Sequence, residues 1–473
     1  MDLKSPFDSV LRRTLEHALD HLQSLQHKPV SASATLAQLR GRLKRPLPER
    51  GAEAAQVIEQ LAADVEGGIV GCVGGRFFGW VVGGVLPAAL AADWLTSAWD
   101  QNAALYASGP AEAVVEEACG DWLKQLLGLP RTASFALVTG CQMAHATCLA
   151  AARHALLERQ GWDVERKGLN GAPPIRVLSG QRHGSIERAV RLLGLGSDSV
   201  CDLPVDGLGR LRADSLASAL DDQPNAPAIV LLQAGDINTG AFDPFKELIP
   251  IAQARSAWVH VDGAFGLWAS VSPGYRHLVE GVGAADSWAA DGHKWLNVPY
   301  DSGYAFVAHP SAHRASMTCR ASYLTYDEDA RDQIDWTPEW SRRGRGFATY
   351  AAIRQLGRAG LADLIERNCR QALELVTRIG KLPGAETVHE PLVNQGLVRF
   401  LDQRPGAADT DHDRKTDEMI AALRQNGEAF FTDTTWRGMR CMRVSVCNWQ
   451  TGEEDVERAV TAVRDCLARV SHG

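Results

Sequence analysis

Six short, largely apolar runs, at 134–138, 175–179, 228–232, 257–261, 285–289 and 303–307, constrain the fold of this chain more than any other feature. Each has the length of a strand, and the stretches between them read as helix or loop, with helices expected from Cys141 to Arg159 and from Ile186 to Leu193. Continuous apolarity, as opposed to strict alternation, means burial on both faces. Strands of that kind alternating with helices build a mostly parallel sheet covered on both sides. The expected class is therefore α/β. In such sheets ligands bind at the carboxyl ends of the strands, so the residues that follow each run are the ones to inspect.

The fourth run delivers an acid, Asp262, in Val-His-Val-Asp-Gly-Ala-Phe-Gly at 259–266. The fifth delivers an amine, Lys294, in Ser-Trp-Ala-Ala-Asp-Gly-His-Lys-Trp-Leu-Asn-Val at 287–298. Taken singly, such residues are more often a solvated charge or an ordinary strand end. As a pair they suit pyridoxal phosphate, which needs a lysine to hold its aldehyde as a Schiff base and an acid to keep its ring nitrogen protonated. The first run leads into Thr139-Gly-Cys-Gln-Met-Ala144, a glycine turn opening an Ala-rich helix. Free N–H groups and the positive end of the dipole there suit a phosphate, although any strand-to-helix turn can carry a glycine.

The longer words, His-Val-Asp-Gly-Ala-Phe, Ala-Asp-Ser-Trp and Asp-Gly-His-Lys-Trp, resemble the pyridoxal-phosphate-dependent group II decarboxylases, the family of the aromatic-L-amino-acid and glutamate decarboxylases, in order and in spacing. The resemblance runs from about residue 28 to about residue 465. It implies a type I aminotransferase-like fold and α-decarboxylation of an L-amino acid to an amine and carbon dioxide. The units it implies are an N-terminal helical arm (1–85), a large cofactor-binding domain (86–345) and a small α+β C-terminal domain (346–473). It also implies that Lys294 holds the cofactor, Asp262 pairs with the ring nitrogen and His183 stacks on the ring, these three being the catalytic set. Further cofactor contacts fall on Gly140, Cys141, Gln142, Thr239, Ala264, Asp291 and His293.

The sequence departs from the family pattern at several of these positions. Cys141 and Gln142 replace small hydroxyl residues of the phosphate cup, and Asp236 and Ile237 replace two threonines. Asp291 stands where the family often has asparagine, and a carboxylate there repels a phosphate unless His293 or an arginine offsets it. Gln333 falls where aromatic-amino-acid decarboxylases carry a loop tyrosine that protonates the carbanion, leaving Tyr323 or Tyr326 to substitute. That departure gives weight to a decarboxylating aldehyde synthase or a carbon–carbon lyase as rival readings. A catalytically silent binding homologue is the weakest rival, because Asp262 and Lys294 are both present.

For the substrate, the aromatic stretch Phe77, Phe78 and Trp80, with Trp99 and Tyr106, offers a pocket wall, although core packing is the commoner role of such residues. Arg443 lies where the family has an arginine near the end of the site, and no further arginine is evident for a distal carboxylate. An aromatic or bulky apolar L-amino acid follows as the expected substrate.

Composition excludes other classes. The formal charge of −8 and scattered basic residues argue against nucleic acid. Ten irregularly spaced cysteines, without a Cys-x-x-Cys pair, indicate neither a disulfide framework nor a metal site. The opening Met-Asp-Leu-Lys-Ser-Pro lacks the order of a secretion signal, so a cytoplasmic protein is expected. Residues 69–90 are apolar but dense in glycine and interrupted by Arg76 and Pro87, which reads as a buried segment and not a membrane span. Helices are expected at 8–26, 52–65, 90–129, 346–379, 413–425 and 452–470, and C-terminal strands at 397–401 and 441–447. The resemblance implies that the first helix packs on a second subunit in a homodimer.

Overall fold

The structure is a computed structural model and describes residues 5–319, 322, 325 and 329–470. Its larger sheet comprises β1 (Ser134–Val138), β2 (Arg176–Ser179), β3 (Val200–Asp202), β4 (Ala228–Gln233), β5 (Trp258–Asp262), β6 (Ser287–Asp291) and β7 (Gly303–Val307). The seven strands lie in the order β1-β7-β6-β5-β4-β2-β3. All neighbours pair in parallel except β7, which runs antiparallel to β1 and β6.

The reason for the unbroken apolar runs is visible in the side chains. Phe135 and Leu137, Val230 and Leu232, and Val259 and Val261 enter the core on one face of the sheet. Their alternate neighbours Ala136 and Val138, Ile229 and Leu231, and Trp258 enter the core on the other. Both faces are covered, so both sets must be apolar.

A second sheet follows, with β8 (Ala385–His389), β9 (Gln395–Phe400), β10 (Thr432–Trp436) and β11 (Met439–Ser445) in the antiparallel order β10-β11-β9-β8. The helix Gly346–Gly380 joins the two sheets: Ala348, Ile353 and Leu361 belong to the large core, and Leu375, Val376 and Ile379 to the core beneath the second sheet. It is interrupted at Gly357, where φ is 60° and ψ is −179°.

Three strands were not expected. β3 has only three residues, β8 is half-buried, and β10 reads Thr-Asp-Thr-Thr-Trp with its middle residues open to solvent, so none carries a continuous apolar run. The single helix expected over 90–129 is two, Pro87–Trp99 and Pro110–Leu127. Asp100 adopts a left-handed conformation that ends the first, and Pro110 at the first turn opens the second. In the second, Glu116 is fully buried and lies 2.7 Å from the equally buried Arg342.

The glycine-rich stretch after residue 69 is largely irregular. Buried Arg76 donates to the carbonyls of Leu25, Lys28 and Glu428, which is how a charge is accommodated there. Among the described residues, no helix is long and apolar enough to cross a membrane.

Candidate active site

The carboxyl ends of β1, β2, β4, β5 and β6 converge on one cavity of about 350 Å³. Gly140, Cys141 and Gln142 line it from the turn after β1, His183 from the turn after β2, and Gln233, Gly235 and Ile237 from the end of β4. Asp262, Ala264 and Phe265 come from the end of β5, and Asp291, His293 and Lys294 from the end of β6. Tyr300 closes one side, its ring stacked 4.3 Å from that of His293.

Asp262 and Lys294 are thus brought together as expected. Burial by itself would raise the pKa of Asp262, but His145 and Lys294 outweigh it and hold the carboxyl well below the usual range. Its Oδ1 accepts the Ala264 N–H at 3.1 Å, and its Oδ2 lies 3.5 Å from His145 Nε2. For Lys294, burial disfavours the charge, but Asp291 and Asp262 more than compensate and raise its pKa. His183 caps the helix Gly184–Leu192, accepting the Ser185 N–H at Nδ1. A neutral ring then carries its proton on Nε2.

Asp291 resolves the charge problem that its sequence position poses. Its Oδ1 accepts the Cys141 N–H at 2.6 Å at the start of the helix Cys141–Glu158, and its Oδ2 is 3.2 Å from Lys294 Nζ. His293 Nε2 stands 3.5 Å away, and its Nδ1 accepts the Ser302 N–H, so the neutral ring presents an N–H to the carboxylate. No arginine takes part among the described residues.

The residues fit pyridoxal phosphate. Gln142 Nε2 is buried without a partner at the helix N-terminus, a free donor beside the backbone groups suited to a phosphate. At the other end an ionised carboxylate faces the cavity. The Cys141 thiol stays protonated, pushed up by burial and by Asp291 and Asp262. Cys141, His145 and Asp262 also bring metal-ligand atom types within 4.8 Å of one another, but two of them belong to the cofactor cavity.

Several expected residues lie elsewhere. Phe78 is fully buried against Phe431 in the C-terminal core, and Phe77 stacks on Phe430 at 4.8 Å. Trp80 is exposed beside that pair, and none of the three lines the cavity. Backbone pairing of this segment with Phe430 turns the rings toward the second sheet. Trp99 packs edge-on against Phe347. Thr239 is buried outside the cavity, where its hydroxyl bonds to Asp236 and completes a turn. Tyr323 and Tyr326 lie outside the described residues. Gln333 is buried beside Ile334, and its amide makes no hydrogen bond.

Arg443, on β11, is buried, and burial lowers its pKa to about 10. Its guanidinium reaches only neutral acceptors, the Trp80 carbonyl and Gln395, with no ion pair among the described residues.

Sequence reasoning missed Tyr300, His145 and Asn297. Fully buried Asn297 accepts the N–H groups of Gly84 and Trp449 and donates to the carbonyls of Trp295 and Cys447, locking the lysine turn to two distant segments. A histidine four residues beyond Cys141, on the apolar side of an Ala-rich helix, was the available signal for His145.

Comparison with known proteins agrees with this geometry. The chain is 25% identical to an aromatic-L-amino-acid decarboxylase from Bacillus atrophaeus over 96% of its own length and 94% of the relative's. It is also 25% identical to a 4-hydroxyphenylacetaldehyde synthase from Rhodiola rosea, over 92% and 90%. The solved structure of Oryza sativa TDC with PLP and tryptamine superposes with a TM-score of 0.92 at 23% identity, covering 100% of this chain and 99% of that one. Mouse CSAD gives a TM-score of 0.89 at 22% identity, covering 97% and 98%. Residues 37–401 match the pyridoxal-dependent decarboxylase conserved domain, and the chain belongs to that family of pyridoxal-phosphate-dependent carboxy-lyases.

Proposed function

We propose that the substrate is an aromatic L-amino acid, released as its amine and carbon dioxide by a cytoplasmic homodimer. The observation that carries this reading is the composition of the cavity wall. Apart from the groups assigned to the cofactor it presents Phe265, Ile237 and Tyr300 alongside Thr139, Ser185, Gln233 and Gly235, and no guanidinium stands among its lining residues to pair a distal carboxylate. The relatives named for aromatic substrates support the same choice.

Lys294 is the amine that holds the cofactor's aldehyde carbon, and Asp262 holds the proton on its ring nitrogen. When bound, pyridoxal phosphate supplies an electron sink for the bond being broken. His183, at the mouth, covers one face of the ring. Arg443 is buried with no ion pair among the described residues and lies outside the cavity lining, and in this reading its charge helps to orient the substrate carboxylate. Phe265 and Ile237 bring apolar surface to the cavity, and apolar surroundings at that carboxylate favour loss of its charge as carbon dioxide.

A second reading, oxidative decarboxylation to an aldehyde, is favoured by Gln333, which is buried at the position of the family's loop tyrosine. Two of the similar relatives are phenylacetaldehyde synthases. That reaction would consume dioxygen and water and release aldehyde, carbon dioxide, ammonia and hydrogen peroxide.

One assay separates the readings. The standard amino acids are supplied in turn, and carbon dioxide, amine, aldehyde, peroxide and ammonia are measured together. Amine from phenylalanine, tyrosine or tryptophan is the expected result, and preference for glutamate or a basic amino acid overturns the substrate assignment. Borohydride reduction with peptide mapping should place the cofactor label on Lys294.

A further inference from the structure

Behind Asp262 lies a chain of buried polar groups that leads away from the cavity. His145 is fully buried on the helix Cys141–Glu158, with Nε2 3.5 Å from Asp262 Oδ2. Its Nδ1 is 2.9 Å from Nε2 of His260, also fully buried. His260 Nδ1 is in turn 2.9 Å from Ser287 Oγ, which accepts the indole N–H of Trp258 at 2.9 Å.

The donors and acceptors of this chain are tightly constrained. Two ring nitrogens facing each other at hydrogen-bond distance need one proton between them. In one polarity Ser287 donates its hydroxyl hydrogen to His260 Nδ1, and His260 Nε2–H donates to His145 Nδ1. His145 Nε2–H then faces Asp262 Oδ2 at 3.5 Å, and every ring is neutral. In the reverse polarity a neutral His145 would aim a lone pair at a carboxylate, a repulsion relieved only by a second proton on that same Nε2. Either arrangement free of repulsion puts an N–H of His145 against Asp262 Oδ2.

We propose that His145 is a positioning residue that keeps Asp262 ionised and oriented toward the cofactor's ring nitrogen, with His260 and Ser287 setting its tautomer. The two carboxylate oxygens are met differently: Oδ1 accepts the Ala264 N–H at 3.1 Å, whereas Oδ2 has the His145 ring 3.5 Å away, its buried Nε2 otherwise without a partner. A carboxylate that swings away from the cavity gives up the Ala264 hydrogen bond and leaves the buried His145 Nε2 with no polar neighbour, and one that takes up a proton loses its attraction to that ring. Cys141 Sγ, which lies within 4.8 Å of the same two side chains, keeps its proton and adds no charge. The inference rests on the reading of Asp262 as the partner of the ring nitrogen.

The test uses holoenzyme reconstituted with pyridoxal phosphate carrying ¹⁵N in the ring. His145→Gln places an amide N–H near the position of Nε2, whereas His145→Asn places it near Nδ1, out of reach of Asp262. The Gln variant should keep the protonated-nitrogen resonance and most of kcat. The Asn variant should bind the cofactor on Lys294, shift the resonance toward neutral pyridine and lose about tenfold or more in kcat with little change in KM. A protonated resonance and near-normal kcat in the Asn variant overturn the proposal. Should that variant fail to fold, His145→Ala takes its place, and a protonated resonance with near-normal kcat there overturns the proposal equally. Asp262→Asn distinguishes the two levels: if it leaves the resonance protonated, the reading of Asp262 itself fails, and if it alone abolishes protonation, only the role of His145 does.

Discussion

The carboxylate of Asp291 is met from three sides, by a helix N-terminus, a lysine and a histidine N–H, and so a residue that looks hostile to a phosphate becomes the counter-charge that holds Lys294. Asp262 is buried alongside it for a different purpose. Asp262→Ala should leave the cofactor bound, seen as retained visible absorbance, while carbon dioxide release falls by about 100-fold or more, equivalent to roughly 3 kcal/mol of barrier. Glu112 illustrates the opposite shift. Burial and the neighbouring Glu116 push its pKa up to about 8, so the folded protein keeps a proton there that the unfolded chain, near 4.5, gives up. Its contribution to stability is complete below the unfolded value and is lost as pH rises toward 8. Glu112→Gln removes that loss while retaining an acceptor for the Gly346 N–H. Relative to the wild type, the variant should gain a few kcal/mol between pH 5 and pH 9 in urea denaturation.

At the scale of elements, the lysine turn is held from outside its own strand. An added Cβ at Gly83 would overlap the carbonyl oxygen of Lys294, so the glycine-rich segment and the turn are in direct backbone contact. Gly83→Ala is expected to push the turn out of place and weaken cofactor binding by roughly tenfold, the consequence of about 1–2 kcal/mol of overpacking, read by absorbance titration with pyridoxal phosphate. The long helix gives the contrasting case. Nothing lies within 4 Å of an added Cβ at Gly357, but its φ of 60° with ψ of −179° is a region that only glycine occupies readily. Gly357→Ala should therefore cost about 1–3 kcal/mol in denaturation experiments although the methyl has room. The periodicity of this helix was legible in the sequence. Its break was not, because a lone glycine in a helical pattern gives no sign of its dihedral angles.

For the whole molecule, the first helix, Asp8–Ser24, is an element whose packing a single chain leaves incomplete. It has no buried residue, and Leu11, Leu15 and Leu19 are exposed by 57%, 44% and 45%. Leu15 and Leu19 face Pro87, Leu90 and Trp94 across an apolar groove. A homodimer that covers this face is expected to dissociate when Leu15 and Leu19 are both replaced by Asp. Sedimentation should then show one chain's mass in place of two, and activity should fall if the partner completes the site.

The amino-acid sequence by itself determined the mostly parallel sheet, since strands buried on both faces are largely apolar along their whole length, and it determined the acid and the amine at the ends of β5 and β6. It could not distinguish an aromatic residue of the core from one of a pocket. The pairing of Phe77 with Phe430 turned that segment toward the second sheet, while Phe265 and Tyr300 supplied the wall. Nor did it place His145 behind Asp262 or Asn297 between three segments, because those contacts join residues 117 and 152 positions apart, counting from His145 to Asp262 and from Asn297 to Trp449. Local pattern records what each residue prefers to be buried against. Which buried partner it receives is decided only when the helices and the second sheet close over the strand ends.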